Sequence, residues 1–147
     1  MKLLAKFREE DGFSATFFAI TMPVILAIMG IAIDGSYVVY NRIKLDMAAD
    51  AAARAAIHSL DLSVWYGERK IVLNTSKAYQ MVDQLMRDNM PTARLISLEI
   101  PSDSPNTCVI EVEAQVPLFF LRLFNETSYK IHASASSIGY DPNQTQR

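Results

Sequence analysis

From Phe13 to Ile33 the chain carries no charged side chain, and Asp11 and Asp34 bracket the run. Its 21 positions, at about 1.5 Å of rise each, make a helix of about 31 Å. That length matches a bilayer hydrocarbon core of about 30 Å, so the pattern predicts one membrane-spanning helix. The apolar part of a cleaved signal peptide is shorter, about 7–15 residues, and ends at small residues. Here the run leads into Asp34-Gly35-Ser36-Tyr37, and a retained anchor is the expectation.

Beyond Asp34 apolar residues recur at Tyr37, Tyr40, Ile43, Met47, Ala51 and Ala55 without a proline. The three-and-four spacing predicts that the helix continues to about Ser59. Ala48, Ala51, Ala52 and Ala55 make a narrow flank that another helix or a sheet can approach closely. Helix propensity alone is the competing reason for so much alanine. Residues 61–74 read as a polar connector. Asn74-Thr75 offers an N-cap for a second helix, with an earlier start at Glu68 as the alternative. Ala78, Val82, Leu85 and Met86 share one face of this helix, which stops before Met90-Pro91.

The pattern then changes period. Strands are predicted over 93–101, 107–117 and 128–138. In the middle one Cys108, Ile110, Val112, Ala114 and Val116 alternate with Val109, Glu111, Glu113 and Gln115, which describes a sheet with one wet face. In the last, Tyr129, Ile131, Ala133 and Ala135 oppose Ser128, Lys130, His132 and Ser134. The expected fold class is α+β: a transmembrane helix continuing into a long alanine-rich helix packed on a small antiparallel sheet, with one further helix. Between the last two strands lies PLFFLRLFN, residues 117–125. Pro117 ends a strand, and a short helix is expected after it. Leu118, Phe119, Phe120, Leu121, Leu123 and Phe124 would cover nearly all its sides, so the segment is either a plug at the end of the sheet or a membrane or partner contact.

Composition narrows the function. In 147 residues, half of them hydrophobic, there is room for one span and a small domain. The net charge of −2 falls wholly beyond residue 12, which gives no basic face and no nucleic-acid partner. Lys2, Lys6 and Arg8 before the run, against Arg42 and Lys44 after it, favour a cytoplasmic N-terminus. Cys108 is the single cysteine and reads as a small buried apolar residue. His58 and His132 stand alone, and Glu111 and Glu113 read as a solvated strand face. No phosphate loop or nucleophile elbow is present. The expectation is a non-enzyme without cofactor or metal.

GFSATFFAITMPVILAIMGIAIDGSYVVYNRIKLDMAADAAARAA resembles the N-terminal segment of TadE/TadG-like proteins of Flp (tight adherence, Tad) pilus systems. VIEVEAQVPLFFLRLFNETSYKIHASASS resembles their C-terminal segment. Pro23, Asp34-Gly35 and the Asp46–Ala52 run carry most of the likeness. It implies that the α+β fold is pilin-like, in a bacterial inner-membrane protein whose periplasmic domain helps build or anchor a pilus. Its implied partners are the membrane, other TadE/TadG-like or pilin subunits and pilus assembly proteins. Processed relatives are cut after a glycine and carry a glutamate five residues into the mature chain. Here the candidate processing site is Gly12-Phe13 and the fifth residue is Phe17, so the bond is expected to stay uncut. The organisation expected is a cytoplasmic segment 1–12, a span 13–33, an extracytoplasmic domain 34–140 and a flexible tail 141–147. The alternative function is a single-span sensor or scaffold whose outer domain binds a ligand or partner.

Overall fold

The computed structural model describes residues 2–68 and 71–139; the tail 141–147 lies outside the described residues. The apolar run and the alanine-rich stretch form one helix, α1, Lys2–Ala56. It stops short of the expected Ser59, whose hydroxyl donates to the Ala56 carbonyl at 2.6 Å. The polar connector holds a helix of its own, α2, Leu62–Glu68, because Asp61 caps it by accepting from the backbone N–H of Ser63 at 3.0 Å. Next comes α3, Thr75–Asn89, capped by Asn74, whose side chain accepts from the Lys77 N–H at 3.0 Å. The strands are β1, Ala93–Glu99, β2, Thr107–Pro117, and β3, Ser128–Ile138. They form an antiparallel sheet in the order β1-β2-β3. The architecture is α+β, with one helix among the described residues long and apolar enough to cross a membrane.

The chain divides into two compact units. One holds α1 up to Tyr37 together with Leu118–Thr127. The other holds Val38–Pro117 and the strand that starts at Ser128.

In the second unit the core is a single cluster. Leu45, Ala48, Ala49, Ala52, Ala53 and Ala56 of α1 meet Ala78, Val82 and Met86 of α3 and the inner face of the sheet. Cys108, Ile110, Val112, Ala114 and Val116 are all buried, as their alternation predicts. β3 contributes Ile131, Ala133 and Ala135, whereas Tyr129 is exposed near the start of this edge strand. β1 is less regular. Its pairing with β2 shifts between Leu95 and Ser97, so Ile96 is the extra residue of a bulge and faces out. The bulge changes parity: Ala93 and Leu95 pack on the core before it, Leu98 and Ile100 after it. At the far end of the β2–β3 pair, Asn106 and Gly139 bond reciprocally. The Gly139 N–H reaches the Asn106 carbonyl at 2.8 Å, and Asn106 Nδ2 reaches the Gly139 carbonyl at 2.9 Å.

Candidate functional site

The first unit is organised around a buried carboxylate. Asp34 is the first charged residue after the apolar run, and none of its surface is exposed. A lone buried carboxylate is costly unless both its oxygens are hydrogen-bonded. Here they are. Oδ1 accepts from the backbone N–H of Phe119 at 3.0 Å, and Oδ2 from those of Phe120 at 2.9 Å and Leu121 at 2.7 Å. Burial pushes the Asp34 carboxyl upward, but the amides of Leu121, Phe119 and Phe120 together outweigh it and hold it below the ordinary value.

The three donors stand at the start of the short helix expected in this segment, which is a single 3-10 turn, Leu121–Phe124. A carboxylate there satisfies amides that a helix start leaves without partners. The turn ends at Asn125, which adopts φ 70° and ψ 9°. Asparagine tolerates this left-handed conformation better than most residues do, which suits Asn125 to the end of the turn. The Leu118 N–H then closes the connection on the Thr127 carbonyl at 3.0 Å.

Helix periodicity sets what lies beside Asp34. Ala27, Gly30 and Asp34 fall on one face, and Gly30 is buried. A Cβ placed on Gly30 would lie 2.7 Å from Phe120 Cβ and 2.8 Å from its ring. Glycine is therefore what lets Phe120 seat against the helix. Pro23, Leu26, Ala27 and Ile31 line an apolar groove of about 430 Å³ with Phe120, Leu121, Leu123 and Phe124. Tyr37 meets Phe119 edge-on, with ring centroids 5.5 Å apart.

Of the apolar residues singled out in the connection, Leu118 is buried and Leu121 half-buried. Phe119, Phe120, Leu123 and Phe124 are 60%, 42%, 84% and 66% exposed. Gly12-Phe13 lies within α1, with Phe13 exposed. Among the four alanines, Ala48 and Ala52 are in the core, Ala55 is half-buried and Ala51 faces out. Tyr40, Ile43 and Met47 also face out, at 63%, 54% and 67% exposure. The inner face of α1 is thus the alanine face with Leu45.

Sequence reasoning did not place Asp34 and Gly30 in a site. The available signal was a glycine inside an apolar helix followed four residues later by an acid on the same face. Cys108 is buried, and burial raises its thiol. His132 and Lys130 approach Glu113 at 3.6 and 3.1 Å on the wet face of the sheet. Among the described residues no group of three or more His, Cys, Asp or Glu side chains could hold a metal ion.

Residues 12–58 match the family model described as "Putative Flp pilus-assembly TadE/G-like". The match takes in the apolar run, Asp34-Gly35 and the alanine-rich stretch, and supports a role in pilus assembly. No curated protein and no solved structure matches the chain.

Proposed function

We propose that the chain is a structural, non-catalytic component of a Flp/Tad-type pilus system, minor-pilin-like and anchored in the bacterial inner membrane by residues 13–33. In this reading the N-terminus is cytoplasmic, the Gly12-Phe13 bond stays intact and the α+β domain is periplasmic. The match over residues 12–58 carries the reading. The exposure of the same helix supports it. Phe17, Phe18, Ile28 and Met29 face outward within the run, and Tyr40, Ile43 and Met47 form an outward apolar stripe of their own beyond it. Apolar stripes of this kind mark places where another helix packs.

The test is site-specific photocrosslinking in the native host, with the crosslinker at Met47 on the stripe or at Tyr66, which is exposed on α2. Adducts with pilin or pilus-assembly subunits from Met47, and none from Tyr66, are expected. Normal pili in a strain lacking the gene, with no adduct from Met47, would overturn the reading. A periplasm-active reporter fused after Arg147 should work, and the intact mass should include residues 1–12.

A further inference from the structure

We propose that residues 118–124 form a second membrane-inserted element, an apolar wedge that enters the periplasmic leaflet beside the span and is fastened to it by Asp34. The proposal rests on the membrane reading of residues 13–33. Its occupant is lipid, the acyl chains just below the headgroups.

Depth is the first argument. The wedge and the span line one groove as far as Pro23. Pro23 precedes Asp34 by eleven residues, or about 16 Å along a helix at about 1.5 Å per residue. That distance is about half of a hydrocarbon core of about 30 Å. With Asp34 at the interface, side chains packed at the level of Pro23 and Leu26 lie below the headgroups.

Surface chemistry is the second. Phe119, Phe120, Leu123 and Phe124 present large apolar surfaces outward, continuous with those of Leu26 and Ile31. In water such a patch is a liability, whereas in acyl chains it matches its surroundings. The segment carries one charge, Arg122, whose long stem lets a guanidinium stay at headgroup level while the backbone sits lower.

Backbone satisfaction is the third and most specific. Non-helical backbone at membrane depth is tolerated only when its polar groups are partnered within the protein. Asp34 takes the N–H groups of Phe119, Phe120 and Leu121. Those of Leu118, Leu123, Asn125 and Glu126 reach the carbonyls of Thr127, Phe120, Arg122 and Leu121 at 3.0 to 3.2 Å. A water-facing loop does not require such internal partners, since water supplies them. The carboxylate thus lets three consecutive amides leave water together.

The test uses full-length protein in vesicles of phosphatidylethanolamine and phosphatidylglycerol. Trp65, the only tryptophan, is replaced by Phe, and single reporters are introduced as Phe124→Trp, Ile28→Trp and Tyr66→Trp. Lipids brominated on the acyl chains quench only reporters among those chains, and iodide quenches only those in water. Phe124→Trp and Ile28→Trp should both lose most of their emission to brominated lipid and resist iodide, and Tyr66→Trp should do the reverse. If Ile28→Trp is quenched by lipid while Phe124→Trp is quenched by iodide, the span stands and the wedge is wrong. Shielding of Phe124→Trp from both quenchers would mean a protein partner in place of lipid, and would also overturn it. If Ile28→Trp escapes the lipid quencher, the membrane reading itself fails. Asp34→Ala, added to each reporter protein, should shift quenching of Phe124→Trp from lipid to iodide and leave that of Ile28→Trp unchanged; no shift at Phe124→Trp would remove Asp34 from the fastening.

Discussion

The two units of this chain sort their side chains in opposite ways. Around Ile110 and Val112, apolar side chains point in and carboxylates such as Glu111 point out, the arrangement that water imposes. Around Asp34 the order is inverted: phenylalanines and leucines point out, and the side chain sealed inside is a carboxylate. The same α1 takes part in both. Its alanines serve the unit that holds the sheet, and its glycine at 30 serves the other. Burial by itself is therefore a poor guide to hydrophobicity here; on the proposed membrane reading, each unit is sorted against its own surroundings.

The comparison breaks most visibly at Asp34. Replacing it by Ala leaves three adjacent amides without their acceptor, and hydrogen exchange should show protection of the Phe119, Phe120 and Leu121 amides lost outright. Amides of β2 and β3 should keep theirs. If the loop amides stay protected, the carboxylate is not what holds them.

Next in size is a pair of truncations, one in each unit. Ile110→Ala empties a fully buried site in the central strand and should cost about 2–5 kcal/mol in thermal or chemical unfolding of the detergent-solubilised protein. Leu123→Ala removes a side chain that is 84% exposed and should stay within about 0.5 kcal/mol in the same assay. Equal losses would mean that the 118–124 segment is a core after all.

A smaller contrast lies in two glycines of α1. A methyl on Gly30 meets Phe120 at 2.7 Å, whereas one on Gly35 meets nothing within 4 Å. Gly30→Ala should lower stability by about 1–3 kcal/mol through overpacking, and Gly35→Ala should raise it by up to about 1 kcal/mol through helix propensity. Opposite signs in one helix are the expected outcome of a paired melting experiment.

The smallest effect is acid dependence. The folded carboxyl of Asp34 lies below its ordinary value, so the unfolded chain binds the proton more readily. Its contribution to stability is full above an unfolded value of about 3.9 and is lost as the pH falls through the folded value. Loop-amide protection in the native protein should thus hold at pH 5 and decline only below about 4. In Asp34→Asn that particular decline should be absent, which comparison of the two exchange profiles would show.

Much of this was legible because it is local and periodic. An apolar run of membrane length, the strict alternation of 108–116, the Asn74 cap and the strand-breaking Pro117 each follow from geometry that neighbouring residues impose on themselves. The short turn after Pro117 and the surplus of apolar sides it would present were readable in the same way. Other features were settled only in three dimensions. Alanine and tyrosine stripes run along the same stretch of α1, and spacing cannot choose between them. The alanine face with Leu45 is the one that joins α3 and the sheet in the core. Ile96 leaves the core because a bulge changes the parity of β1, and no residue type announces a bulge. Asp34 is the clearest case. Its partners are backbone amides 85 to 87 positions away, and a backbone amide looks the same in every residue but proline. A carboxylate at the end of an apolar run therefore reads as the edge of a membrane span, and only the folded chain brings it the three donors that make burial tolerable.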